Sequence, residues 1–223
     1  MSQASASQPP AEGDLPLSAA AALAVLTEQQ RTVSRRLGGQ IWIITGAWGI
    51  AWLFGFLAIW LMDSTSLGIV VPTWLGWTIF ATLFAAAIVV SAVLGARSGR
   101  GIRSNSANAF TGTVYGVTWA VSMVFLSVLG AALLSRGMSA ELADLFYPSV
   151  YALVVGILYL AAAAIWRVVE MIVAGAFFVV LASVAPFFGH PTNFLVFAVA
   201  GGAMFFTFAI ILAVRGRAVG SRA

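Results

Sequence analysis

The sequence contains neither cysteine nor lysine. Without cysteine there is no disulfide, no thiolate nucleophile and no cysteine-held metal. Without lysine there is no Schiff base, which excludes covalent retinal and pyridoxal phosphate chemistry. Charge is scarce as well. Charged residues make up 8% of the 223 positions, against about 25% in a soluble domain. That is too little to coat a water-soluble fold. Histidine occurs once, at His190, in the turn Pro186–Pro191 and with no cysteine or carboxylate beside it in sequence. It does not make a usual zinc site. It reads as a solvated turn residue, with sensing of external pH as the functional alternative. The H-E-x-x-H and G-x-S-x-G patterns are absent, as are paired carboxylates in the middle of any apolar run. Neither catalysis nor a cofactor or metal is expected.

What is abundant is apolar. The apolar set reaches 61% and aromatics 13%, and mean hydropathy is +1.02. These values describe an integral membrane protein. All 11 basic residues are arginine. With the richness in Ala, Val and Gly, this points to a GC-rich bacterial genome and so to a bacterial inner membrane.

A helical span needs about 20 mostly apolar residues. Six stretches qualify, at 41–62, 70–95, 114–134, 146–166, 168–187 and 194–214. The expected fold is therefore all-α, a polytopic six-transmembrane-helix bundle with little chain left for a soluble domain. Residues 1–16, rich in Ser, Ala, Gln and Pro, read as a disordered cytoplasmic tail. Residues 17–39 read as an amphipathic cytoplasmic or interfacial helix, with Ser18 as N-cap and Gly38-Gly39 as stop. It lies on the membrane surface or docks on a partner helix. Residues 215–223 form a basic tail.

The arginines set the orientation. Arg31, Arg35, Arg36, Arg97, Arg100, Arg103, Arg167, Arg215, Arg217 and Arg222 fall on one side of the spans. Arg136 falls on the other, with Asp63, Glu141 and Asp144. The positive-inside rule then places both termini in the cytoplasm. This distribution also accounts for the pI near 10.3 without nucleic acid. The loop 96–103 combines Gly with Arg but lacks the Gly-Lys-Ser/Thr ending of a phosphate-binding loop. Trp42, Trp60, Trp74, Tyr147 and Trp166 mark span ends, whereas Trp48, Trp52 and Trp119 lie deeper and are expected to pack in the bundle.

Three sets of residues are candidates for function. Thr111, Tyr115, Thr118 and Ser122 recur at steps of four, three and four and so share a helical stripe on the third span. The stripe either lines a polar vestibule or bonds to a neighbouring helix. Arg167 and Glu170, three apart, read as a border ion pair on one helical face, or as a cation site at the cytoplasmic mouth. Arg31, Arg35, Arg36, Arg97, Arg100 and Arg103 form a candidate cytoplasmic docking surface.

Small residues at Ala161–Ala164, Ala174–Ala176 and Ala198/Gly202 predict close packing among spans four to six. No internal repeat is evident. With almost no charge inside the spans, the expected function is a non-enzymatic accessory, anchoring or sensory subunit of a membrane complex. Its partners would be the bilayer and a protein, or further copies of itself. A small-solute transporter or channel is the alternative, resting on the third-span stripe and Glu170.

Overall fold

The computed structural model describes residues 41–63, 68, 71–99 and 106–220, with side chains for 41–63, 68, 71–97 and 109–214. The tail 1–16, the segment 17–39 and residues 221–223 lie outside them, as do Arg31, Arg35, Arg36, Arg100 and Arg103 of the docking set. The described residues are helical, and six helices are long and apolar enough to cross a membrane. An apolar chain in lipid satisfies its backbone internally only as a helix or closed barrel, and these runs carry no strand among the described residues.

The helices are α1 (Ile41–Asp63), α2 (Thr73–Gly99), α3 (Ser106–Ser135), α4 (Ala140–Trp166) and α5 (Val169–Val184). A 3-10 turn, Ala185–Phe188, extends α5. The last helix, α6, begins as Thr192–Val196, passes through a π turn at Phe197–Gly201, and continues as Gly202–Gly220. A matching π turn, Ala51–Gly55, interrupts α1. All six expected apolar stretches are helical, with shifted ends. The Pro72 carbonyl accepts from the Leu75 and Gly76 amides, so α2 starts after that proline. The start of α4 precedes its apolar run because Ser139 caps it: the Ser139 hydroxyl accepts from the Leu142 amide at 3.2 Å. Glu141 sits in the first turn, where the helix dipole favours an anion. At the other end Arg167 adopts a left-handed conformation, φ 56°, which stops α4 and turns the chain directly into α5.

Helices α4 and α5 touch backbone to backbone. A Cβ on Gly156 would lie 2.8 Å from the Gly175 carbonyl oxygen, and one on Gly175 would lie 2.8 Å from that of Gly156. Small residues allow this approach, which brings dispersion and polar backbone contacts into play where lipid supplies no hydrophobic drive. Gly202, expected with Ala198 to pack among spans four to six, forms with Gly201 a step that does otherwise. It faces α1: a Cβ on Gly201 would lie 2.3 Å from Trp52 Cε3, and one on Gly202 would lie 2.9 Å from Leu53 Cβ. Gly201-Gly202 is thus a seat for Trp52 and Leu53, while the Phe197–Gly201 turn also touches α5. The two π turns meet at this contact. Each adds a residue to one turn and rotates the face that follows.

Trp52 is 5% exposed and forms the centre of the bundle. Its ring centroid lies 4.9 Å from Phe178, 5.2 Å from Phe56, 5.8 Å from Phe205, 6.1 Å from Phe197 and 6.4 Å from Phe84. These are the separations at which aromatic pairs attract. Trp48, also deep as expected, donates its indole N–H to Ser91 Oγ at 3.0 Å. The outcome is a packed centre of α1, α4, α5 and α6. On its flanks, α2 rests on α1, and α3 rests chiefly on α4. Only 6% of the apolar window of α2 or α3 is buried, against 28–33% in the other four. Their outer faces, including Val89, Phe110 and Phe125, meet hydrocarbon when the bundle is embedded.

Candidate functional site

The site begins with a missing hydrogen. Pro148 lies inside α4 and has no backbone N–H, so the carbonyl four residues earlier, that of Asp144, loses its helical partner. Asn193, in the first turn of α6 and fully buried, fills the gap: its Nδ2 donates to the Asp144 carbonyl at 2.9 Å. The Asn193 amide in turn donates to the Gly189 carbonyl at 2.8 Å. Gly189 takes a positive φ of 68°, open to glycine at little cost, and the His190–Pro191 peptide is cis. This short α5–α6 turn is therefore tied to the start of α4.

The tie places His190 between two carboxylates. Its Nδ1 lies 3.4 Å from Asp144 Oδ2, and its Nε2 lies 3.7 Å from Asp63 Oδ2. The ring stands edge-on to Phe194, with centroids 5.9 Å apart. One carboxylate comes from the last residue of α1 and the other from the first turns of α4. Three elements thus converge on one imidazole at the acidic end of the bundle. A neutral imidazole has one N–H and serves one carboxylate, whereas the protonated ring has two and serves both. The group carries two negative charges with His190 neutral and one with it protonated. His190 Nδ1 is buried without an aligned hydrogen bond, and Asn193 Oδ1 and Ser149 Oγ are buried with no partner among the described residues.

The geometry fits a proton better than a metal. A metal ion binds one nitrogen of an imidazole, and here the carboxylates lie against opposite nitrogens. Among the described residues no group of three His, Asp or Glu side chains is arranged to hold a metal ion.

This cluster corrects the sequence-level picture of His190 as a turn residue without carboxylates nearby. Asp63 and Asp144 are distant in the chain, and only folding brings them to it. The signals available in sequence were Pro148 inside an apolar run and Asn193 at the head of another.

The other candidates are placed as follows. In the stripe of α3, Thr111, Tyr115 and Ser122 are half-buried and Thr118 is exposed. Tyr115 donates its hydroxyl to the Leu158 carbonyl of α4 at 3.0 Å. Its ring meets Trp166 edge-on at 4.8 Å. Thr118 Oγ1 donates back to the Val114 carbonyl at 2.8 Å. A second polar contact between the same helices, absent from the expected stripe, pairs the hydroxyls of Ser127 and Tyr151. Through Tyr115 and Tyr151 the polar groups of α3 bond to the neighbouring helix.

Arg167 and Glu170 do not share a helical face. The left-handed conformation of Arg167 leaves it outside α5, exposed, while Glu170 lies half-buried in the first turn of that helix. Of the docking arginines, Arg97 falls among the described residues, exposed in the last turn of α2.

Compared with known protein families, with curated proteins and with solved structures, the chain matches none.

Proposed function

We propose that this chain is a multi-pass protein of a bacterial inner membrane, with both termini cytoplasmic, acting as a non-enzymatic sensory or anchoring subunit of a membrane complex. The observation that carries this reading is the contrast between centre and edge. The middle of the bundle is filled by the rings around Trp52, and the described Asp, Glu, Arg and His residues all stand at helix ends. Transport of ions or protons relies on polar or ionisable groups inside the membrane. The third-span residues that favoured transport include Tyr115, which is engaged with α4. The arginine distribution sets the acidic end, with His190, on the outer face and the arginine end towards the cytoplasm.

The test is gentle purification from the native membrane after brief cross-linking, with the full chain and with a variant lacking residues 1–37. A defined protein recovered in stoichiometric amount with the full chain, and lost from the shortened chain although it still inserts, is the expected outcome. Equal recovery of the partner with both moves the docking surface away from residues 1–37, and recovery of the full chain alone contradicts the subunit reading. In that event Thr118→Val with Ser122→Ala becomes the variant to assay for altered flux.

A further inference from the structure

We propose that His190, Asp63 and Asp144 form a proton-operated clasp that holds the acidic ends of α1 and α4 and the α5–α6 turn together when His190 is protonated and frees them when it is neutral. The inference deepens the sensory reading by naming its stimulus, and its test involves no partner protein.

Asp63 ends α1, Asp144 stands in the opening turns of α4, and His190 occupies the turn between α5 and α6. Two carboxylates gathered at one ring repel each other unless a cation lies between them. Protonated His190 is that cation, with one N–H for each. Loss of the proton leaves one N–H for two acceptors, and the two negative charges then face each other across a neutral ring.

The two halves of the clasp differ in how firmly they are otherwise held. Asp144 stays near the turn because Asn193 binds its carbonyl. Among the described residues Asp63 has no equivalent tie, and its side chain is 45% exposed. The α1 side therefore opens first. The remaining charges at this end are Glu141, one turn before Asp144, and Arg136, on the connection between α3 and α4. Both are exposed, and neither forms an ion pair with His190. From α6 the ring meets Phe194, which is uncharged.

Imidazole ordinarily changes charge between about pH 5 and about pH 8. The clasp is closed at the acidic limit and open at the alkaline one. Opening at Asp63 swings the end of α1 and, with it, the start of α2, since Met62 packs against Gly76.

The native chain has no cysteine, so paired spin labels can be placed cleanly on the full chain in liposomes. One pair, Trp74→Cys with Phe187→Cys, reads α2 against the turn. Another, Leu142→Cys with Phe187→Cys, reads α4 against the turn. All three sites are exposed.

The expected result is a Trp74–Phe187 distance that lengthens and broadens from about pH 5 to about pH 8, with a smaller change in the Leu142–Phe187 distance. Asp63→Asn abolishes the pH response of the first pair and leaves that of the second. His190→Gln abolishes both. Identical distance distributions at the two pH values in the otherwise native chain overturn the clasp. A pH response that persists in His190→Gln also overturns it. Should His190→Gln fail to fold, Asp63→Asn at its exposed position decides the matter by the same criterion.

Discussion

Trp52→Ala is expected to destabilise the bundle by about 3 kcal/mol, near the lower end of the range for removing a large buried aromatic. The lower end applies because the unfolded helices remain in lipid, so the loss is one of packing rather than of transfer from water. Trp52 meets five phenylalanine rings, and it also covers Gly201 so closely that no side chain fits there. Its removal leaves a void where α1, α5 and α6 meet. Thermal unfolding in mild detergent measures the effect. Phe125→Ala, on the outer face of α3 where the ring is 65% exposed, serves as control and is expected to change stability by less than about 0.5 kcal/mol. Equal losses from the two substitutions refute the assigned core.

Asn193→Ala comes next, with an expected cost of about 1–3 kcal/mol, the penalty of leaving a buried acceptor unpaired. The cost has a specific origin, which a second substitution exposes. Pro148→Ala restores an N–H at position 148 and so gives the Asp144 carbonyl a helical partner again. In that background Asn193→Ala is expected to cost substantially less, a coupling of the size seen between residues in direct contact. An unchanged cost in the two backgrounds shows that Asn193 is held for another reason, and the account of how the α5–α6 turn is fixed fails with it.

The sequence already contained the spans, because twenty apolar residues in a row have few other uses. It misplaced their ends in both directions: α2 starts later than its apolar run, after Pro72, whereas α4 starts earlier than its own. The turns that cap a helix are polar, as at Ser139–Asp144, so an apolar run stops short of the helix it belongs to. The deep positions of Trp48 and Trp52 were also legible, from their distance to either span end.

Small residues announced close packing but not the partner. Gly175, in the expected set, meets α4 at Gly156, which lay outside it, whereas Gly202, with Gly201 beside it, receives α1. A glycine records that something approaches, and the identity of what approaches depends on helix order, which no local pattern encodes.

The cluster at His190 was hidden by the same limit. Its members lie on separate elements, and each has an ordinary local role: Asp63 ends a helix, Asp144 follows a cap and His190 sits in a turn. Pro148 lies inside α4. Its significance lay in the carbonyl it left open, which became visible only with Asn193 beside it.

The most direct measurement is of sidedness, because the account places the His190 cluster outside and the arginines inside. The cysteine-free chain allows single substitutions at Phe187, which is 89% exposed beside the cluster, and at Arg97 in the last turn of α2. A membrane-impermeant maleimide is applied to intact and to permeabilised cells. Labelling of Phe187→Cys in intact cells, and of Arg97→Cys only after permeabilisation, is the expected result. Labelling of Arg97→Cys in intact cells, with Phe187→Cys protected, contradicts it: the orientation is then reversed, and the histidine faces the cytoplasm.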